Sequence, residues 1–267
     1  MGFFEDKLNG AWIKYSDYEI LGGDMKFIIP TKGAKPKCYS MTEKKDELIS
    51  HALEAGKAIA HAGSSQEIIE KECLSFVKEF GLLGFVTYMP AQPQMLGEGK
   101  IYLGKNADLF GESTMDTEDY LGVFYPFKPK SSEKFSVITG YEPIWDYAFD
   151  KNYCELVLWI GATLMSLYKN FQSFTSVGLK KGDDILLDNS GFSFKLRGYK
   201  SPAMQWQANS LNSMLEMLLA VSFASEEIPI KQCKRCDKIF YSDNKRSEFC
   251  SPRCRNQYNV YKSRSKD

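Results

Sequence analysis

The sequence predicts an α+β fold: a mostly helical body with short strands over residues 1–230, then a small cysteine-bearing domain over 231–267. Three observations lead there. Apolar positions recur at helical spacing around 42–61, 64–80, 150–174 and 202–224. Between these runs, Gly and Pro punctuate short stretches rich in aromatic and β-branched residues, which keeps any strand brief. Near the end, Cys233, Cys236, Cys250 and Cys254 form a C-x2-C, C-x3-C pattern.

Composition agrees with a folded chain. Of 267 residues, 43% are hydrophobic and 14% aromatic, enough for a substantial core. Formal net charge is zero, but it is unevenly spread. Lys231 to Asp267 holds eleven Lys or Arg against four Asp or Glu, a balance of +7, so residues 1–230 carry −7. A basic tail on an acidic body points to nucleic acid, or to the body itself, as the tail's partner.

The elements follow in order. Residues 12–40 mix aromatics, Gly and Pro and read as one or two short strands. A helix is expected over Thr42–His61, with Thr42 as its cap. Ser64 and Glu67 make a capping-box pair for a second helix ending at Phe80. Its buried stripe would hold Ile68, Ile69, Cys73, Phe76, Val77 and Phe80, and Gly81 stands where a left-handed cap belongs. Short strands are expected at Phe85–Tyr88, Lys100–Leu103 and Tyr120–Tyr125. Asp150 can cap an apolar helix reaching Phe174. Ile185–Leu187 and Phe192–Arg197 flank a turn signal and read as a hairpin. A last body helix is expected over Pro202–Ala224, leading into the cysteines and packing against their domain.

The cysteine spacing is that of a zinc site. Zinc takes four soft ligands in a tetrahedron, and thiolates supply them. The chain between the pairs allows a hairpin, with Lys238–Tyr241 and Ser247–Phe249 as strands. Ser251 suits an N-cap and Pro252 the first helical position, which puts Cys254 in the first turn of a terminal helix. Knuckle, hairpin and helix describe a treble-clef finger. Four clustered but unligated cysteines is the weaker alternative, because spacing, cap and turn residues agree with each other.

These residues resemble the finger that closes bacterial zinc-finger proteins of the CGNR type. The shared features are Cys233, Cys236, Phe240, Asp243, Arg246, an aromatic before Cys250, Ser251, Cys254, Asn256 and the basic tail Tyr261 to Arg264. The namesake motif reads Cys254-Arg-Asn-Gln257 here, and the cysteine pairs and their loop are shorter. The resemblance covers about the last 60 residues. It implies regulation of transcription.

Four thiolates and one zinc ion sum to −2, which leaves a basic excess to explain. On the terminal helix Cys254, Tyr258 and Tyr261 should face inward. The candidate nucleic-acid contacts are Lys245, Arg246, Arg253, Arg255, Asn256, Gln257, Lys262 and Arg264. Arg, Asn and Gln suit base edges, and Lys and Arg suit phosphates. A solvated helix, or one docked on the acidic body, is the plainer alternative.

Other chemistries lack their residues. A His-Asn-His nuclease needs a metal-bound His in the finger, yet the two histidines are His51 and His61. Asp183, Asp184 and Lys195 fall short of a restriction-nuclease set, because Ser193 replaces a carboxylate. Phosphate-loop and dinucleotide fingerprints are missing. Cys38, Cys73 and Cys154 have no neighbouring His, and the last two read as core. The aromatic stretch Tyr120–Trp159 offers a ligand pocket or oligomer interface, with plain core the favoured reading.

The expectation is therefore a non-enzymatic, cytoplasmic, Zn2+-holding DNA-binding regulator, whose body senses a ligand or forms a homodimer. The alternative is a protein-interaction module with a purely structural finger. No membrane partner is expected: the longest uncharged apolar run, Leu156–Tyr168, has 13 residues against about 20 for a crossing. The opening residues Met1 to Asp6 show neither a basic-then-apolar leader nor a myristoylation pattern.

Overall fold

A computed structural model describes residues 8–88, 100–103, 110–127, 150–177, 192–197, 203–208, 210–224, 229–242, 244 and 246–264. The class is α+β, with helices dominant and strands short.

Residues 8–40 hold five strands, four of them in the 12–40 segment expected to hold one or two. They are β1 (Leu8–Asn9), β2 (Ala11–Tyr15), β3 (Tyr18–Gly22), β4 (Lys26–Pro30) and β5 (Pro36–Ser40). β2 pairs with β5 and β3 with β4, both antiparallel. Trp12 is buried, and its indole N–H donates to the Leu82 carbonyl at 2.8 Å. That bond fixes β2 against the chain leaving the second helix.

Helix α1 (Lys45–His61) begins three residues later than Thr42, with Lys44 at the cap position. The Thr42 hydroxyl pairs with the Ser40 hydroxyl at 2.9 Å and does no capping. Leu48, Ile49, Ala52, Leu53, Ala55, Gly56 and Ile59 of α1 are all buried, a face too broad for a surface helix. α1 is central because neighbours surround it.

Helix α2 (Gln66–Phe80) starts after Ser65, which makes no side-chain capping bond, so the expected Ser64–Glu67 box does not form. Cys73, Phe76, Val77 and Phe80 are buried as expected, whereas Ile68 is exposed. Gly81 has φ of 93°, and a Cβ there would sit 2.6 Å from the Ile13 carbonyl oxygen. Both the turn and the close approach of β2 require glycine.

Phe85–Tyr88 is a 3-10 turn, not a strand. β6 (Lys100–Tyr102) pairs with β7 (Thr114–Asp116). Helix α3 (Thr117–Phe124) replaces the strand expected at Tyr120–Tyr125, since Tyr120 and Phe124, four apart, enter the core together. β8 (Glu155–Leu156) extends the β3–β4 sheet, and helix α4 (Val157–Val177) follows it directly. Asp150 closes a turn through the Asn152 amide at 2.7 Å instead of capping α4.

Glu155 is fully buried. Its carboxylate accepts from the amides of Leu83, Gly84 and Phe85 at 2.7, 2.5 and 2.9 Å and from the Tyr153 hydroxyl at 2.5 Å. Four donors on one carboxylate explain its tolerance inside the core. They also lock the chain after α2 onto β8.

β9 (Phe192–Arg197) pairs antiparallel with β10 (Ala203–Ala208), and β1 joins β10 in parallel. Ile185–Leu187, the other half of the expected hairpin, lies outside the described residues. The last body helix, α5 (Leu211–Ala224), starts nine residues later than expected because β10 takes the first part of the segment. Tyr120, Phe124, Tyr125 and Tyr153 are buried, so the described aromatics of that stretch are chiefly core. Among the described residues no helix is long and apolar enough to cross a membrane.

Candidate metal centre and basic helix

The C-terminal domain opens with β11 (Ile230–Gln232), which pairs antiparallel with β12 (Ile239–Tyr241). The first cysteine pair lies in the turn between these strands. The hairpin thus surrounds the C-x2-C knuckle rather than following it, and Ser247–Phe249 is not a strand. The physical reason lies in the knuckle: the Cys233 amide donates to Lys238 O and the Asp237 amide to Cys233 O, each at 2.9 Å. These bonds turn the chain back beside itself. Asp237 completes the reversal with φ of 55°, the left-handed region that Asp enters more readily than most residues.

The connection to the second pair is held from β11 and the knuckle. The Lys231 ammonium donates to Asn244 O at 2.6 Å, and the Lys234 amide donates to Glu248 O at 3.1 Å. Lys234 also forms an ion pair with Glu248. Arg246 is exposed, and its amide donates to the Asn244 side chain at 3.0 Å. Lys245 lies outside the described residues.

Helix α6 (Pro252–Arg264) starts as the sequence indicates. The Ser251 hydroxyl accepts from the Cys254 amide at 3.2 Å, which caps the first turn. That turn carries Cys254 toward the other three cysteines. All four Sγ atoms lie within 4.8 Å of one another. Cys236–Cys250 and Cys250–Cys254 are 3.6 Å apart, and Cys254–Cys236 is 3.7 Å. A disulfide would bring sulfurs to about 2.05 Å, so no two of these cysteines are bonded, and their spacing suits four ligands converging on one ion. The group can hold a metal ion.

Burial pushes Cys233 up, but amide donors from Cys250, Arg235 and Cys236 outweigh it and bring it down to about 6. Burial, and then hydrogen bonds with Cys254, Cys236 and Cys233, push Cys250 up to about 12. At Cys236 the Lys238 amide pulls down, yet lost hydration and contacts with Cys233 and Cys254 leave it raised. One thiolate thus discourages the next, and a metal ion reverses that order.

Among the described residues the segment rests chiefly on α1 rather than on the last body helix. Glu54 accepts from the Ile239 amide at 2.6 Å, and Lys57 donates to the Asp237 carbonyl at 2.6 Å. The Lys45 ammonium lies 5.5 Å from the Tyr241 ring centroid. Ile230 and Ile239 are buried in the body's apolar cluster. The sequence reading missed Glu54 and Lys57. The available signal was a charge at Glu54 inside the apolar run Leu53–Gly56.

Helix α6 has no buried residue. Arg253, Arg255, Asn256, Gln257, Lys262 and Arg264 are all exposed, so among the described residues the body does not cover the basic helix. Tyr258 is half-buried against Phe249, with ring centroids 5.1 Å apart. Tyr261 is 59% exposed rather than tucked in, and Arg235 covers part of it at 4.8 Å from the ring centroid.

The remaining candidates stay apart from this centre. His51 pairs with Glu79 at 2.9 Å, and the His61 ring contacts Lys57 O at 2.7 Å. Burial raises the thiols of Cys73 and Cys154, which suits inert core residues. Cys38 is exposed. Asp183 and Asp184 lie outside the described residues.

Comparison with protein-family models, curated proteins and solved structures finds no match for this chain. The likeness to CGNR-type fingers therefore rests on the finger residues themselves.

Proposed function

We propose that the C-terminal domain is a four-cysteine zinc finger of the treble-clef kind that presents a basic helix to DNA, in a non-enzymatic regulator of transcription. The edge length of the sulfur cluster supports zinc. Zn–S bonds of about 2.3 Å in a tetrahedron place sulfurs about 3.8 Å apart, against the 3.6–3.7 Å found for three pairs. The carrying observation for DNA is the open helix α6, exposed from Arg253 through Arg264 apart from Cys254 and Tyr258. Arg246 and Lys245 before it would add phosphate contacts.

The test uses zinc-loaded full-length protein and fluorescence anisotropy with a mixed-sequence duplex. Replacing Arg253, Arg255 and Lys262 with Gln should abolish binding while metal content and helicity persist. Wild-type affinity should fall steeply between low and moderate salt, as counterions are released. A wild type with no affinity for duplex or single strand at low salt overturns the reading.

One observation favours a second reading. Glu54 and Lys57 bind the knuckle from the body, so one side of the finger serves as a structural cap. A finger that acts only as a cap, with a protein partner on α6, is the outcome to expect if nucleic-acid binding fails.

A further inference from the structure

The inward direction of α6 is fixed by three contacts: Cys254 in the sulfur cluster, Tyr258 on Phe249, and Tyr261 beneath Arg235. At about 100° per residue, the opposite side of the helix carries Asn256, Asn259, Val260 and Ser263. All four are exposed. None is charged. Arg253, Gln257 and Arg264 run along one flank of that strip, and Arg255 and Lys262 along the other. The cations therefore do not form one patch. They form two rows separated by a neutral strip.

We infer that the outer strip of α6 reads base edges in the major groove of B-form DNA, with Asn256 and Asn259 as specificity-determining residues and the two flanks bound to opposite phosphate backbones. This deepens the DNA-binding reading and rests on it. A helix is about 10–12 Å across with its side chains, and the major groove is about 12 Å wide. A centred helix then brings each flank toward one strand, where Arg and Lys neutralise phosphate. Asn pairs bidentately with the N6/N7 edge of adenine, and a Val side chain suits a thymine methyl. The strip thus calls for A·T pairs at the centre of the site. A-form RNA has a major groove too deep and narrow for this helix, so RNA duplex should be refused. With no residue buried, α6 can enter the groove along about 20 Å of its length.

The experiment uses the zinc-loaded full chain and duplexes selected from a random-sequence library. Affinities are read for selected duplex, shuffled duplex and RNA duplex of the selected sequence. Arg253→Gln with Arg264→Gln, and separately Arg255→Gln with Lys262→Gln, should weaken selected and shuffled duplex alike, about tenfold or more. Each pair should flatten the salt slope by about 2. Asn256→Ala with Asn259→Ala should instead cut the preference for selected over shuffled DNA by about tenfold or more. If the alanine pair loses metal, Asn256→Ser with Asn259→Ser takes its place with the same expectation. The inference is overturned if one basic row carries all the salt dependence, if the asparagines leave the preference intact, or if RNA duplex binds equally well. Absence of affinity for every nucleic acid removes the underlying reading as well, and so differs from those three results.

Discussion

The Glu54 carboxylate accepts a hydrogen bond from the Ile239 amide across 185 positions of sequence, at 2.6 Å. It ties the centre of the body to the strand that leaves the Cys233–Cys236 knuckle. Glu54→Ala removes the acceptor and strands the amide of buried Ile239, at a cost of about 1–3 kcal/mol. Glu54→Gln keeps an acceptor and should retain most of the stability. Urea denaturation, with hydrogen exchange at the Ile239 amide, checks the pair. Equal stability of Glu54→Ala and wild type would show that the C-terminal segment is merely tethered.

Stripping the metal should melt α6 and spare the body helices. The helix has 13 residues and no buried face, and isolated helices below about 12–15 residues are marginal in water. Circular dichroism before and after a strong chelator should lose a small helical fraction. The main thermal transition should remain, lowered by the lost docking on α1. A spectrum unchanged by chelation would mean that sulfur ligation does not hold the domain.

Metal affinity should rise with pH, and the sign follows from the thiols. Binding needs thiolates. Cys233 already ionises above about 6, but Cys250 stays protonated up to about 12 and Cys236 is also raised. At neutral pH, metal uptake therefore displaces thiol protons, those of Cys236 and Cys250 among them. Below about pH 6, Cys233 adds a further competing proton. Calorimetry in two buffers of different ionisation enthalpy counts the protons released, and a count near zero would contradict the assignment.

Asp237 holds a left-handed conformation directly after Cys236. Asp237→Gly should be neutral or mildly stabilising. Asp237→Val, β-branched at positive φ, should cost about 1–3 kcal/mol and speed metal loss to a chelator. Equal release rates for the two variants would show that the turn does not control the site.

Gly56 sits where α1 and α4 nearly touch. A Cβ there would land on the Leu164 carbonyl and sit 3.0 Å from the Tyr168 Cβ. Ala gains about 1 kcal/mol of helix propensity over Gly, but forcing the helices apart costs about 1–3 kcal/mol. Net destabilisation in urea is the expected result, and a more stable Gly56→Ala would mean that the helices are looser than described.

What the sequence disclosed depended on how local the cause was. The cysteine cluster, the Ser251 cap and the turn at Gly81 are set by residues close together in the chain, and they appear where expected. α5 starts later than expected because strand β10 claimed Ala203–Ala208, and α1 because residues 41–44 form turns after β5. Tyr120–Tyr125 became a helix because two rings four apart fit one pocket of the core. Glu54 and Lys57 were missed for a different reason. Their partners are the backbone groups of Ile239 and Asp237, which carry no side-chain signal. Only the folded arrangement brings them together.

Ile230 and Ile239 lie in the same apolar cluster as the body helices. The cysteine-bearing segment is therefore not a portable cassette. Grafted onto a foreign protein, it would expose two isoleucines and lose the cradle that α1 provides. A working transplant would have to repaint those positions polar or carry a substitute helix with it.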